Sequence, residues 1–254
     1  MSLKPLAYRW RAGGLRPIEH PARVRLEDLL HIERQKSLLV QNTRQFVEGR
    51  PANHALLTGA RGTGKSSLVK ALLPAFAEQG LRLVELVPDQ LTELPEIVAP
   101  LRGRPERFLL YVDDFSVGAQ DARLTALKTA LDGGLEEPPE NVLIVATSNR
   151  RHLLPTLRTD NGEFHWIDEE LHPGESSEEK ISLSERFGLW LSFAPFDQTQ
   201  YLDAVQHHLG LLGLQGPIDE AVSAAALRWA LHRASRSGRV AQQFARDWVG
   251  RAGG

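Results

Sequence analysis

The sequence predicts a parallel α/β core followed by a small all-helical domain. Three observations predict it. Phe108–Val112 and Val142–Ala146 are continuous apolar runs, the pattern of strands covered on both faces. Apolar runs alternate with stretches of helical periodicity up to about residue 195, as parallel α/β units require. After Pro195 only helical signals follow.

Residues 1–25 read as a basic N-terminal extension, with Arg9, Arg11, Arg16, Arg23 and Arg25 beside Tyr8 and Trp10. The α/β core is expected over 26–195. It opens with a helix over Leu26–Glu48, where Leu29, Leu30, Leu38, Leu39, Val40 and Phe46 recur near helical spacing. A break falls near His31, and Gly49-Arg50-Pro51 stops the helix. Ala55–Thr58 is a short apolar strand entering a glycine-rich loop, and Leu68–Phe76 is a helix. Leu81–Val87 alternates as a strand. The helical stretch Arg123–Leu131, closed by Gly133-Gly134, separates the two apolar strands, and Leu189–Phe193 is the fifth strand. The helical domain, 196–254, begins with a capping box at Asp197 and Gln200. A second helix is capped by Asp219, and a third carries Val240, Phe244 and Trp248 at four-residue spacing.

Composition narrows the function classes. With 254 residues, 42% hydrophobic and 24% charged, the chain is an ordinary globular protein. The formal net charge of -2 argues against a nucleic-acid coat or a membrane-surface protein. The absence of cysteine excludes disulfides, thiol nucleophiles and thiolate metal sites, and fits a reducing cytoplasm. No apolar stretch approaches the ~20 residues of a membrane span, and the basic start, broken by Gly13, Gly14 and Pro17, is not a signal peptide. The nine histidines form no metal site: His207 and His208 are adjacent and point apart, and His165 and His172 fall in an expected loop.

Gly59-Ala60-Arg61-Gly62-Thr63-Gly64-Lys65-Ser66 satisfies G-x-x-x-x-G-K-[ST] at every fixed position, between a predicted strand and a predicted helix. Glycines let the backbone curl so that its amides face phosphate oxygens, and the helix N-terminus adds partial positive charge. The expected ligand is ATP or a close nucleoside triphosphate. Lys65 reaches the β and γ phosphates, and the Ser66 hydroxyl ligates Mg²⁺. Phe108–Val112 then delivers two carboxylates, Asp113 for the metal and Asp114 for the attacking water. The competing reading of such an Asp pair is a cap for the next helix.

With these residues the chain resembles the AAA+ ATPases, a P-loop NTPase superfamily with a three-layer α/β/α core and a helical lid. Val145–Arg150 is similar to the sensor-1 segment, which implies that Asn149 lies beside the γ-phosphate. Ser184–Gly188 precedes the fifth strand, where the superfamily carries its arginine finger, implying Arg186. Gly238-Arg239-Val240-Ala241 looks like sensor 2, with Arg239 competing against Arg233 and Arg236. Leu29–Lys36 resembles the adenine-packing box II, implying Leu30 and Ile32, with His31 where glycine is usual. More narrowly, Gly59–Ser67, Thr147–Leu153, His172–Glu175 and Ile181–Gly188 look like an uncharacterised bacterial group of predicted AAA+ ATPases, with Ser67 extending the loop.

The resemblance implies a homo-oligomer with the finger acting in trans. The superfamily usually has Glu where Asp114 stands. Asp is one methylene shorter, and a misplacement of ~1 Å can cost about 10²-fold in rate. The acidic Glu163, Asp168, Glu169, Glu170, Glu175, Glu178 and Glu179 and the basic Arg228, Arg233, Arg236, Arg239, Arg246 and Arg251 are either solvated faces or matching halves of a subunit contact. The N-terminal arginines suit a nucleic acid or a protein partner, and the acidic total charge disfavours the former. Three function classes remain open: a remodelling ATPase, a nucleotide-controlled loader or scaffold with little hydrolysis, and a small-molecule P-loop kinase.

Overall fold

The computed structural model of the protein describes residues 5–115, 122–132, 137–149, 164–167, 170–173 and 186–252. The expected Gly133-Gly134 stop, Arg150–Leu153, Gly174-Glu175, Ile181–Glu185 and the acidic positions 163, 168, 169, 178 and 179 lie outside the described residues.

Seven strands form one sheet in the order β2-β1-β4-β5-β6-β3-β9. They are β1 (Ala7–Arg11), β2 (Gly14–Pro17), β3 (Ala55–Gly59), β4 (Leu81–Leu86), β5 (Arg107–Val112), β6 (Val142–Ser148) and β9 (Leu189–Phe193). Within this sheet every pairing is parallel except β1 with β2. β5 explains the layering. Phe108, Leu110 and Val112 join one hydrophobic cluster with Leu91, Leu94, Ile97 and Leu127, while Leu109 and Tyr111 join another with Leu39, Leu68 and Leu72. Because side chains alternate along a strand, a strand apolar at every position needs cover on both faces. Helices α1 (Glu33–Val47) and α2 (Lys65–Phe76) supply one cover, and α3 (Leu94–Val98) and α4 (Ala122–Asp132) the other.

Three segments depart from expectation. Residues 7–17, expected as a basic extension outside the core, are strands of the sheet. Ala7, Tyr8 and Arg9 pair with Leu83, Val84 and Glu85. Arg9 Nε donates to Glu85 Oε2 at 2.7 Å, and Trp10 Nε1 donates to Glu93 at 2.7 Å. Arg9, one of the arginines expected to suit a nucleic acid or a protein partner, is matched by an acid 76 residues away. Second, the part of the expected helix before the break is a 3-10 turn (Leu26–Asp28), while the break itself falls at His31 as expected, at φ +60°, ahead of α1. Third, the expected loop around His165 and His172 is a hairpin, β7 (Phe164–Ile167) with β8 (Glu170–Pro173), in which His165 pairs with His172.

The helical domain contains α5 (Gln198–Leu211), α6 (Glu220–His232) and α7 (Gly238–Ala252). Both halves of the capping box form: Gln200 N donates to Asp197 Oδ1 at 2.8 Å, and Asp197 N to Gln200 Oε1 at 3.1 Å. Asp219 caps α6 through Val222 N at 2.8 Å. Tyr201, Val205, Ala226, Ala241 and Phe244 form a separate core for the three helices.

Candidate functional site: a phosphate loop under a helical lid

Adjacent parallel strands end at the same edge of a sheet, so β3, β5 and β6 deliver their following residues to one place. These are the loop Gly59–Gly64, the Asp113-Asp114 pair and Asn149. Gly59 ends β3 at φ +138°, where an added Cβ would stand 2.1 Å from the Phe193 carbonyl oxygen. Gly62 and Gly64 are left-handed at φ +78° and +100°, a conformation that side chains disfavour, and Gly64 leads directly into α2. Thr63 Oγ1 closes the loop by donating to Ala60 O at 2.8 Å.

Lys65 is 5% exposed. Its Nζ donates to Gly59 O and Ala60 O at 2.7 Å each, and to Asn149 Oδ1 at 3.1 Å. Burial pulls its pKa down to about 8, against the opposing pull of Asp113 and Asp114. Ser66 Oγ donates to Asp113 Oδ1 at 2.7 Å, and Thr147 Oγ1 donates to the same oxygen at 2.7 Å. Burial works against ionisation of Asp113, but the hydrogen bonds from Thr147 and Ser66, with the nearby Tyr111 hydroxyl and Lys70 charge, outweigh it and hold its pKa below the ordinary value. Asp114 is left-handed at φ +54°. Its Oδ1 accepts from Asn149 Nδ2 at 2.5 Å, and its Oδ2 lies 3.8 Å from Arg61 Nη2.

These groups open into a cavity of about 550 Å³ between core and lid, a size suited to a small organic ligand. Arg61–Ser67, Asp113, Asp114 and Asn149 line one end, and Arg239 and Gln242 of α7 face it from the lid. The other, more apolar end is lined by Val24, Leu29, Leu30 and Ile32 from the core and by Ala204 and Leu211 from α5, together with Arg23, Asp28, His207 and His208. The glycine loop with its charged partners and this more apolar end thus share one cleft.

The family described as "Protein of unknown function (DUF815)" matches residues 4–252. The chain belongs to this family. Among curated proteins none matches. Solved structures of Thermotoga maritima RuvB are similar in fold. A proline-to-glycine mutant of RuvB matches with a TM-score of 0.58 and 16% identity, over 88% of this chain and 64% of that one. An arginine-to-alanine mutant matches at 0.57 and 16%, over 90% and 65%. The RuvB Holliday junction branch migration motor matches at 0.52 and 16%, over 85% and 59%. The chain spans less than two thirds of the length of these RuvB chains. At 16% identity the likeness shows that this DUF815 member shares the fold of those RuvB chains.

The structure brings together Arg61, Gly62, Thr63, Gly64, Lys65, Ser66, Ser67, Leu30, Ile32, Asp113, Asp114, Asn149 and Arg239 around the cavity. Gly59 and Ala60 contribute their carbonyls to Lys65. Of the competing lid arginines, Arg233 stacks over Trp229, with its guanidinium 3.5 Å from the ring centre, and Arg236 lines a separate groove with Leu231. Arg186 precedes β9 and is not among the residues lining the cavity.

Sequence reasoning missed Thr147 as the residue orienting Asp113. It also missed Ser237, whose Oγ packs against Gly62, and the α5 residues at the apolar end. A threonine directly after the apolar run Val142–Ala146 was the available signal for the first. Nothing local marks the others. Among the described residues no group of three or more His, Cys, Asp or Glu is placed to hold a metal, and no helix is long and apolar enough to cross a membrane.

Proposed function

We propose that this protein binds ATP with Mg²⁺ at the 59–67 loop and hydrolyses it, using lid movement to remodel a macromolecular partner. The observation that carries the reading is the convergence of Lys65, Ser66, Asp113, Asp114 and Asn149 through direct hydrogen bonds at the phosphate end of one cavity. The Ser66 hydroxyl and the Asp113 carboxylate, 2.7 Å apart, are the hard oxygen donors that Mg²⁺ takes, so they would hold it. A metal held there would supply neutralisation of the charge that develops in phosphoryl transfer.

Lys65 binds the β and γ phosphates, and the loop amides cradle them. Asp114 orients the attacking water, with Asn149 fixing the carboxylate from the other side. Arg239 offers positive charge from the lid. Leu30 and Ile32 pack the base. Arg186, which precedes β9 and does not line its own cavity, fits a homo-oligomer in which it reaches the neighbouring subunit's phosphate, a contribution worth ~10³–10⁵ in rate. The lack of cysteine supports a cytoplasmic setting.

A second reading, a loader or scaffold with little hydrolysis, is favoured by one observation: both oxygens of Asp114 are engaged, by Asn149 and by Arg61. A small-molecule kinase is the third reading, disfavoured because the lid helices α5 and α7 line the cavity where an acceptor would sit.

The test is product analysis with Mg-ATP alongside calorimetric binding. Release of free phosphate, abolished by Lys65→Ala and slowed by Arg186→Ala in the assembled protein, is expected. Tight binding without turnover would replace the motor reading by the scaffold. No ATP binding would overturn both.

A further inference from the structure

Helix α5 crosses the apolar end of the cavity, and two of its residues one turn apart, Asp203 and His207, reach back to the core. His207 Nε2 lies 3.2 Å from Asp28 Oδ1, and His31 Nε2 lies 3.4 Å from Asp203 Oδ2. The pairs are reciprocal: the core supplies an acid and a histidine, and the lid supplies a histidine and an acid. Each Nε2 is shut off from solvent and makes no hydrogen bond, so the facing carboxylate is the polar group that compensates its burial. Spacing of four residues puts Asp203 and His207 on one helix face. On the core side, Asp28 and His31 bracket Leu29 and Leu30, which line the cavity. The left-handed His31 also meets Phe196 edge-on, with ring centres 5.6 Å apart, and Phe196 belongs to the lid core.

We infer that these two histidine–aspartate pairs form a latch that ties the lid helix to the base-facing segment and sets how long a nucleotide stays bound. The consequence for nucleotide rests on the ATP-binding reading above; the latch itself rests on the geometry alone. A swing of α5 that opens this end must separate both pairs together, and the two solvent-shielded imidazole nitrogens lose their facing carboxylates in the same movement. The His207–Asp28 pair is about three-quarters buried on both sides; in the second pair His31 is buried to the same degree and Asp203 is half exposed. Asp28, His31, Asp203 and His207 are therefore positioning residues, which act on the ligand through the placement of Leu29, Leu30 and α5.

The experiment measures dissociation of a fluorescent ATP analogue with Mg²⁺. The variants are Asp28→Ala, His207→Ala, the double variant, and the swap Asp28→His with His207→Asp. Each single change is expected to speed release roughly three- to tenfold, the double no more than either single, and the swap to return the rate to within about twofold of the parent. Unchanged rates, or additive losses without rescue by the swap, overturn the latch. A second measurement needs no nucleotide. The chain has no cysteine, so spin labels at Glu78→Cys on the core and Glu220→Cys on the lid report their separation directly. The latch predicts a longer, broader distance distribution in Asp28→Ala and His31→Ala, and an unchanged distribution overturns it. If the parent binds no nucleotide, the proposed function falls while the distance measurement still decides the latch.

Discussion

Replacing Gly62 by alanine perturbs the contact between the phosphate loop and the lid at a single methyl group. Gly62 sits at φ +78°, and its added Cβ would stand 2.6 Å from Ser237 Oγ, 3.0 Å from Ser237 Cβ and 3.3 Å from Arg239 Cβ. The left-handed backbone alone costs a non-glycine residue ~1–2 kcal/mol. Ser237 must also move, and its Oγ accepts from Val240 N at the start of α7 at 3.4 Å. Losing a cap of that length costs about 0.5–1 kcal/mol. The sum is roughly 1.5–3 kcal/mol, which for a chain of this size lowers the melting temperature by roughly 3–12 °C. Thermal unfolding by circular dichroism reads this directly. The double variant Gly62→Ala/Ser237→Gly, which removes the opposing side chain and with it the cap on Val240 N, should recover only part of the contact cost, leaving a few tenths of a kcal/mol for the lost cap and the whole backbone part. A Gly62→Ala melt within about 1 °C of the parent would refute the reasoning, because either contribution alone exceeds that.

Three further outcomes are expected. The isosteric Thr147→Val removes the hydroxyl that donates to Asp113 and accepts from Asp114 N; Mg-ATP turnover should fall roughly 10–100-fold with the fold intact, measured by phosphate release and circular dichroism. Asp197→Ala removes the capping box of α5 and should cost about 1 kcal/mol, or ~2–4 °C in melting temperature. Burial holds His54 and His208 neutral, each with its pKa lowered to about 4, with His207 and Arg246 adding to the effect at His208. The unfolded chain protonates both as pH drops below ~6.5 while the folded chain does not, so stability present above that pH is lost as pH falls towards 4. Each contributes a slope of up to ~1.4 kcal/mol per pH unit, and urea unfolding at pH 7.5 and 5.5 should differ by roughly 2–3 kcal/mol. His54→Gln and His208→Gln should each flatten that slope.

The phosphate loop, the strand carrying Asp113 and the capping box at Asp197 were all legible without coordinates. Their signals are local: glycines that permit left-handed backbone, an unbroken apolar run, and a side chain that reaches an amide three residues on. The parallel α/β class followed from the same local patterns, because a strand apolar on both faces needs two covering layers. What the tertiary structure alone decided were matters of partnership. Residues 7–17 became strands because the edge of β4 was there to pair with and Glu85 was there to neutralise Arg9. Arg239, rather than Arg233, faced the cavity because Trp229 captured the latter. Gly62 proved to be glycine partly for Ser237, 175 positions further along, and the His–Asp pairs across the cleft join residues more than 170 positions apart. Sequence spacing reports neighbours along a helix or strand. Contacts between distant segments exist only once the core has brought them within a few ångströms.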